Sequence, residues 1–133
     1  MSSPLKTRLG STRLIVRDLD RQARFYREAF GFGESLRMTG QIVGRDIEEI
    51  IFLAPKGQAG LILLAYADGH APSPLGATLL FFTSDIAQLQ DRVLAAGGSV
   101  VQAIGPIDLG TRQSRLAFFA DPEGFLIEVI EDA

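Results

Sequence analysis

Residues 11–31 read STRLIVRDLDRQARFYREAFG and indicate a strand followed directly by a helix. The first six, Ser11 to Val16, form a short β-rich run. Asp18 then supplies a carboxylate of the kind that caps helix N-termini. Apolar side chains recur behind it at helical spacing until Gly31 ends the helix, namely Leu19, Ala23, Tyr26 and Phe30.

The same order of features returns later in the chain. Residues 77–98, ATLLFFTSDIAQLQDRVLAAGG, again place a β-rich run before an Asp-capped amphipathic stretch that ends at glycine. Asp85 and Gly98 lie 67 residues beyond Asp18 and Gly31. A weaker match at the same offset relates residues 52–55 to residues 119–122. Several landmarks in one order predict an internal repeat.

Three β-rich runs follow each predicted helix. The first set covers residues 36–43, 47–54 and 60–66, separated by the turn-forming segments Gly44-Arg45-Asp46 and Pro55-Lys56-Gly57. The second set covers residues 99–104, 114–120 and 124–130. We therefore expect one α+β domain over residues 1–133, built from two βαβββ units at about 11–66 and 77–131, with a Gly- and Pro-rich linker at 67–76.

Composition excludes several classes of protein. Of 133 residues, 47% are hydrophobic and 22% charged, which is typical of a packed globular domain. The net charge of −3 argues against nucleic acid as a partner. The chain has no cysteine, so disulfides and thiolate chemistry are excluded. The longest apolar run, Leu61 to Ala67, is too short to cross a membrane, and no signal sequence is evident at the start, so we expect a cytoplasmic protein.

Three segments are characteristic: LIVRDL at 14–19, the aromatic segment FYR at 25–27 with FGF at 30–32, and DPEG at 121–124 with Glu128. In these segments the chain resembles the vicinal oxygen chelate superfamily, which includes glyoxalase I, bleomycin-resistance proteins, fosfomycin-resistance enzymes and extradiol dioxygenases. The resemblance implies an open, cup-shaped mixed sheet with the helices outside. It also implies a homodimer, because members of this superfamily commonly complete their cups by pairing.

The resemblance also implies where a divalent metal would bind. Members that are metalloenzymes hold the ion through the first and last strands of each unit, and those positions fall here at Ser11, Leu64, Thr78 and Glu128. Only Glu128 is a usual ligand, whereas a catalytic site needs about three strong protein donors. We therefore expect no metal and no cofactor.

Strand alternation predicts which other side chains face the cup. With Glu128 fixing the phase, the predicted ligand-binding face is mainly apolar and carries one positive and one negative group. This composition suits a small, partly apolar organic molecule. The predicted ligand-binding residues are Ser11, Arg13, Leu64, Tyr66, Thr78, Phe82 and Glu128.

Three functions remain open. The first is metal-free binding of a small organic ligand, in the manner of bleomycin-resistance proteins. The second is a glyoxalase-type lyase or isomerase in which Glu128 acts as general base, assisted by Arg13 or by the hydroxyl of Ser11 or Thr78. The third is a dioxygenase or lyase whose metal is held by Glu128 and unusual donors, which requires His70 to turn inward from the linker.

Several of these residues could instead have purely structural roles. Glu128 and Arg13 could pair with each other, and His70 in its Gly/Pro loop is expected to be solvated. Asp46, Glu48 and Glu49 are expected to be solvated around a turn. Asp121 and Gly124 are expected to form the tight turn before the last strand.

Overall fold

The computed structural model describes residues 5–54 and 60–132, and its ten main elements form two similar units. A short 3-10 turn at Pro74–Gly76 lies between the units. The first unit consists of β1 (Ser11–Ile15), α1 (Leu19–Phe30), β2 (Ser35–Ile42), β3 (Arg45–Phe52) and β4 (Gly60–Tyr66). The second consists of β5 (Thr78–Thr83), α2 (Ile86–Ala95), β6 (Ser99–Asp108), β7 (Gln113–Ala120) and β8 (Leu126–Glu131).

Each unit forms its own four-stranded mixed sheet. The first sheet has the order β1-β4-β3-β2 and the second the order β5-β8-β7-β6. The pairs β1–β4 and β5–β8 are parallel, because each helix carries the chain across the sheet, and the other pairs are antiparallel. The α+β class and the two βαβββ units predicted from the sequence are confirmed.

Both helices begin and end where the sequence predicts. The Asp18 carboxylate accepts a hydrogen bond from the Arg21 N–H at 3.1 Å, and Asp85 does the same for Gln88 at 3.0 Å. These carboxylates satisfy N–H groups that have no partner within the helix. Gly31 follows α1 with a φ of 74°, a left-handed conformation that glycine adopts without strain.

Several strand boundaries differ from the prediction, and two of these differences have a clear physical cause. The turn expected at residues 44–46 lies at Val43 and Gly44, both with positive φ, so Arg45 already pairs with Ile42 across the hairpin. Strand β6 continues to Asp108, beyond the predicted end, because an edge strand tolerates Pro106 and absorbs register shifts. The predicted turn at residues 55–57 lies outside the described residues.

One hydrophobic core joins the two units. It consists of buried side chains from both helices and of the strand side chains that face them. Phe30 at the end of α1 stacks on Phe81 of β5, with ring centroids 4.2 Å apart. Side chains on or beside the strands that are buried or partly buried in this core include Leu14, Val16, Leu61, Leu63, Leu79, Phe81, Phe125 and Ile127.

A polar contact also connects the units. The Glu123 carboxylate, in the turn before β8, accepts hydrogen bonds from the backbone N–H groups of Arg17 and Asp18, the shortest at 2.7 Å. It therefore reaches the start of α1, where backbone donors and the helix dipole favour an anion. The first helix is thus fixed against the last turn of the second unit.

Candidate functional site

Each sheet leaves one face free of the helices, and the predicted site residues lie on these faces. In the first sheet, Arg13 is opposite Ile62 and Ile15 is opposite Leu64, so all four side chains share one face. In the second sheet, Leu80 is opposite Glu128. We call these surfaces the first and second open faces.

The second open face combines exposed apolar side chains with a carboxylate. Leu80 and Phe82 on the edge strand β5 are 50% and 58% exposed. Glu128 on the neighbouring strand is half-buried, with Leu80 on one side and Phe118 on the other. Among the residues that the structure describes, no side chain pairs with the Glu128 carboxylate. Its oxygens can therefore accept a hydrogen bond or a proton from a bound molecule.

The first open face carries an ion pair that the sequence did not reveal. Arg13 Nε lies 3.3 Å from Glu49 Oε2, and the Glu49 side chain is only 9% exposed while that of Arg13 is 51% exposed. The expected alternative pair between Arg13 and Glu128 is therefore wrong. The expectation that Glu49 is solvated is also wrong, because Glu49 lies opposite Leu64 in the middle of the sheet.

The position of the β2–β3 turn explains why Glu49 was missed. A turn at residues 44–46 would place Glu49 close to the end of its strand, where solvent is near. With the turn at Val43 and Gly44, Glu49 becomes the fifth residue of β3 and faces the same side as Ile47 and Ile51. The alternation of Ile47, Glu49 and Ile51 along one side of the strand is the sequence pattern that could have predicted the burial of Glu49.

Ion pairs elsewhere lie on the surface. The Arg45 guanidinium is 3.4 Å from the Tyr66 ring centroid and pairs with Asp68. The backbone N–H of His70 and the Arg45 guanidinium hold the pKa of Asp68 below its ordinary value. His70 is exposed, as expected. The stacked Arg45 guanidinium covers one side of the ring of Tyr66, which is one of the predicted ligand-binding residues.

The four positions implied for a metal do not form a suitable donor set. Ser11 is opposite Gly60, which is four residues before Leu64, and four strand residues span about 13 Å. Leu64 is 1% exposed and has no donor atom. Thr78 and Glu128 belong to the other sheet, and a hydroxyl with one carboxylate is a weak set. No group of three or more His, Cys, Asp or Glu residues suited to a metal occurs within residues 5–54 and 60–132.

The predicted site residues are distributed over different cavities. A cavity of about 600 Å³ includes Tyr66, one of about 280 Å³ includes Thr78, and one of about 190 Å³ includes Arg13. The other four predicted residues line none of these three cavities: Ser11, Leu64, Phe82 and Glu128. The structure thus divides the predicted site between two open faces.

Sequence comparison identifies the family. Residues 8–129 match the model of the Glyoxalase/Bleomycin resistance protein/Dioxygenase superfamily. The chain belongs to this superfamily. It is 31% identical over 128 residues to a probable lactoylglutathione lyase of Vibrio parahaemolyticus, covering 94% of this chain and 91% of that protein. It is 29% identical over 128 residues to the lactoylglutathione lyase of Escherichia coli O157:H7, covering 94% and 93%.

Solved structures of the superfamily share the fold. A glyoxalase family protein from Bacillus cereus matches with a TM-score of 0.80 and 18% identity, covering 98% of this chain and 97% of that one. Glyoxalase I from Zea mays matches with a TM-score of 0.73 and 22% identity, covering 95% of this chain and 45% of that one. No helix in the described part of the chain is long and apolar enough to span a membrane.

Proposed function

We propose that this superfamily member binds a small, partly apolar organic molecule on its open faces without a divalent metal. One observation carries the proposal: the positions that hold the metal in metalloenzymes of the superfamily are occupied by Ser11, Leu64, Thr78 and Glu128. Their hydroxyls are weak donors and Leu64 has none. The polar chemistry left at these positions is two hydroxyls and one carboxylate, which can hydrogen-bond to an organic molecule.

The second open face supports this proposal. Exposed Leu80 and Phe82 offer apolar contact area, and Glu128 offers a charged acceptor beside them. Clustered exposed apolar side chains next to one oriented polar group are typical of ligand-binding surfaces. We further propose that the protein acts in the cytoplasm and as a homodimer.

A second candidate function is a glyoxalase-type lyase in which Glu128 is the general base. Two observations favour it: relatives near 30% identity are named lactoylglutathione lyases, and Glu128 has no partner among the described residues. An unpaired carboxylate on an apolar face is suited to taking a proton from a bound molecule. The metal-dependent alternative gains no such support, because His70 remains exposed in its loop.

The variant Glu128→Gln separates these functions because it keeps the size of the side chain and removes the basic carboxylate. For a ligand found by fragment screening, the binding proposal expects an affinity loss of roughly 1 to 3 kcal/mol, the range for a charge-assisted contact. Glu28→Gln, an exposed change on α1, is the control and is expected to leave the affinity unchanged.

The general-base function expects a different result in an assay for lactoylglutathione lyase activity. Turnover should fall by several orders of magnitude in Glu128→Gln while binding is retained. Turnover that survives in Glu128→Gln would exclude Glu128 as the base. If neither ligand affinity nor turnover responds to Glu128→Gln, the second open face is not the site.

A further inference from the structure

We propose that Glu49 is a ligand-binding residue of the first open face and accepts a hydrogen bond from an uncharged O–H or N–H group of a partly apolar molecule. This inference rests on the proposed binding of an organic molecule. It adds a residue outside the predicted site and the chemical class of the group that is bound. The Glu49 carboxylate carries the inference, because it is buried with too few hydrogen-bond donors.

Glu49 and Asp121 are the two charged residues that are buried within residues 5–54 and 60–132. Asp121 accepts four hydrogen bonds of 2.7 to 3.0 Å from groups packed around it. Within the same ranges Glu49 accepts one, from Arg13 Nε at 3.3 Å. A carboxylate that is removed from water normally has both oxygens hydrogen-bonded. The fold therefore satisfies Asp121 and leaves Glu49 short of donors.

Apolar side chains surround Glu49 within its sheet. Its neighbours on the same face are Ile47 and Ile51 along β3, Leu64 on β4 and Met38 on β2. None of these four side chains has a hydrogen-bond donor. A molecule that reaches the carboxylate therefore contacts apolar groups with its body and the carboxylate oxygen with its donor.

Space for such a molecule lies beside Glu49 on the β2 side. Gly40 is two residues beyond Met38 and opposite Ile47, so it belongs to the same face. A Cβ atom built on Gly40 would meet no atom within 4 Å apart from its chain neighbours, and Met38 is 48% exposed. Diagonal neighbours on paired strands, such as Gly40 and Glu49, are about 7 to 8 Å apart. One small molecule in the gap at Gly40 can therefore reach Glu49.

The Arg13 contact determines the charge of the bound group. Arg13 on β1 reaches across β4 to Glu49 on β3, and its guanidinium neutralises the carboxylate. A ligand cation at this carboxylate would be repelled by the guanidinium, and a ligand anion by the carboxylate itself. An uncharged donor avoids both costs and still gains a hydrogen bond to a charged acceptor, which is stronger than one between neutral groups.

The test is an NMR titration of the full chain with phenol, anisole and benzylamine. Phenol has an uncharged donor, anisole is a similar ring without a donor, and protonated benzylamine is a cation. We expect saturable shifts of the backbone amides of Met38, Gly40 and Glu49 with phenol, and weaker binding of both other probes, roughly tenfold for anisole. Equal binding of phenol and anisole would overturn the role of the donor. Benzylamine that binds as tightly as phenol, or more tightly, would overturn the uncharged class.

Variants on the first open face make the test specific. Glu49→Met removes the carboxylate and keeps a side chain of similar length, and we expect phenol to bind it as weakly as anisole binds the wild type. Glu48→Met is the matched control, because Glu48 also pairs with an arginine, Arg37, but faces the helix side of the same strand. Its phenol affinity should stay within about twofold of the wild type.

Gly40→Val tests the position of the ligand. The branched side chain fills the gap on a strand position that tolerates it, so phenol and anisole should both bind more weakly and to a similar degree. Phenol affinity that is unchanged in Gly40→Val would overturn the placement of the ligand beside Gly40.

Stability separates ligand binding from a purely structural role of Glu49. A buried carboxylate that is short of donors lowers the stability of the unliganded protein, so Glu49→Met should keep or raise the urea midpoint. The Arg13 guanidinium is half-exposed and stays hydrated when its partner is removed. A lower midpoint together with unchanged phenol affinity would assign Glu49 to structure alone and overturn the inference.

The outcomes also separate this inference from the proposed function. No saturable shift with phenol, or equal effects of Glu49→Met and Glu48→Met, would overturn the role of Glu49. A ligand whose affinity depends on Glu128 would then still support the proposed function. Conversely, phenol binding that depends on Glu49 would stand even if Glu128 proved irrelevant.

Discussion

Asp121 shows how one buried side chain connects the two units. Its Oδ1 accepts hydrogen bonds from the backbone N–H groups of Glu123 and Phe125, and its Oδ2 accepts them from Gln22 Nε2 and the Tyr26 hydroxyl. All four distances are 2.7 to 3.0 Å, and Asp121 is 4% exposed. A buried carboxylate is tolerated when its oxygens are satisfied in this way. Burial and the charge of Asp121 raise the pKa of Tyr26, so its hydroxyl remains a donor.

The sequence predicted only half of this role. The segment DPEG predicted the tight turn, which Gly124 completes with a φ of 95°, because turn signals are local. The hydrogen bonds to α1 depend on how two segments nearly 100 residues apart pack together. No local pattern specifies that partner. Glu49 was missed for a different reason, because placing the β2–β3 turn too late put this residue near the end of its strand.

We predict that Asp121→Ala lowers the free energy of unfolding by about 3 kcal/mol, because it leaves several buried donors without an acceptor. Urea unfolding followed by circular dichroism measures the change. Asp108→Ala is the control, since that carboxylate caps an exposed turn through Gly110. We expect the control to lose less than about 1 kcal/mol of unfolding free energy. Equal losses in the two variants would show that the buried hydrogen bonds of Asp121 add no special stability.

At the scale of elements, local signals located the helices well and the strands less well. Asp18, Asp85 and Gly31 specify helix ends through their own side chains or backbone freedom. Val43 instead adopts a φ of 49°, which a β-branched residue rarely does, so the turn was placed one residue too late. The predicted strand at residues 99–104 stopped short of Gly105 and Pro106, whereas β6 continues to Asp108 because its free edge accommodates both residues.

The end of β8 gives a prediction for acid sensitivity. The Glu131 carboxylate accepts hydrogen bonds from the Arg115 guanidinium and from the Ile86 N–H at the start of α2, and these contacts lower its pKa from the ordinary 4.5. The unfolded chain therefore takes up this proton at higher pH than the folded one. The stabilisation is present above about pH 4.5 and is lost as the pH falls through the lowered pKa.

We expect the urea midpoint of the wild type to fall more steeply below pH 4.5 than that of Glu131→Gln, which cannot titrate there. Urea titrations between about pH 3 and pH 6 measure the slopes. Glu28→Gln, exposed on α1, should retain the slope of the wild type. Parallel slopes for the wild type and Glu131→Gln would mean that Glu131 does not link β8 to α2.

At the scale of the whole molecule, both sheets leave apolar surface and strand edges uncovered. Leu36 and Met38 on the first open face and Leu80 and Phe82 on the second are all about half exposed. The edge strands β1 and β5 each have one hydrogen-bonded neighbour among the described strands. Such edges and patches are usually covered by a partner.

We therefore predict a homodimer in solution. Sedimentation velocity at tens of micromolar protein should show a dominant species of about twice the chain mass of 14.4 kDa. Dilution should move the distribution towards the monomer if the association is reversible. A single species at the monomer mass across the whole concentration range would refute the prediction.

We predict that Ser11, Leu64, Thr78 and Glu128 hold no metal, and elemental analysis of the purified protein measures this. Protein purified without added chelator or metal should contain less than about 0.1 zinc, nickel, manganese or iron ion per chain, because Glu128 alone cannot replace two or three strong ligands. About one such ion per chain, lost in Glu128→Ala, would contradict this prediction and favour a metalloenzyme.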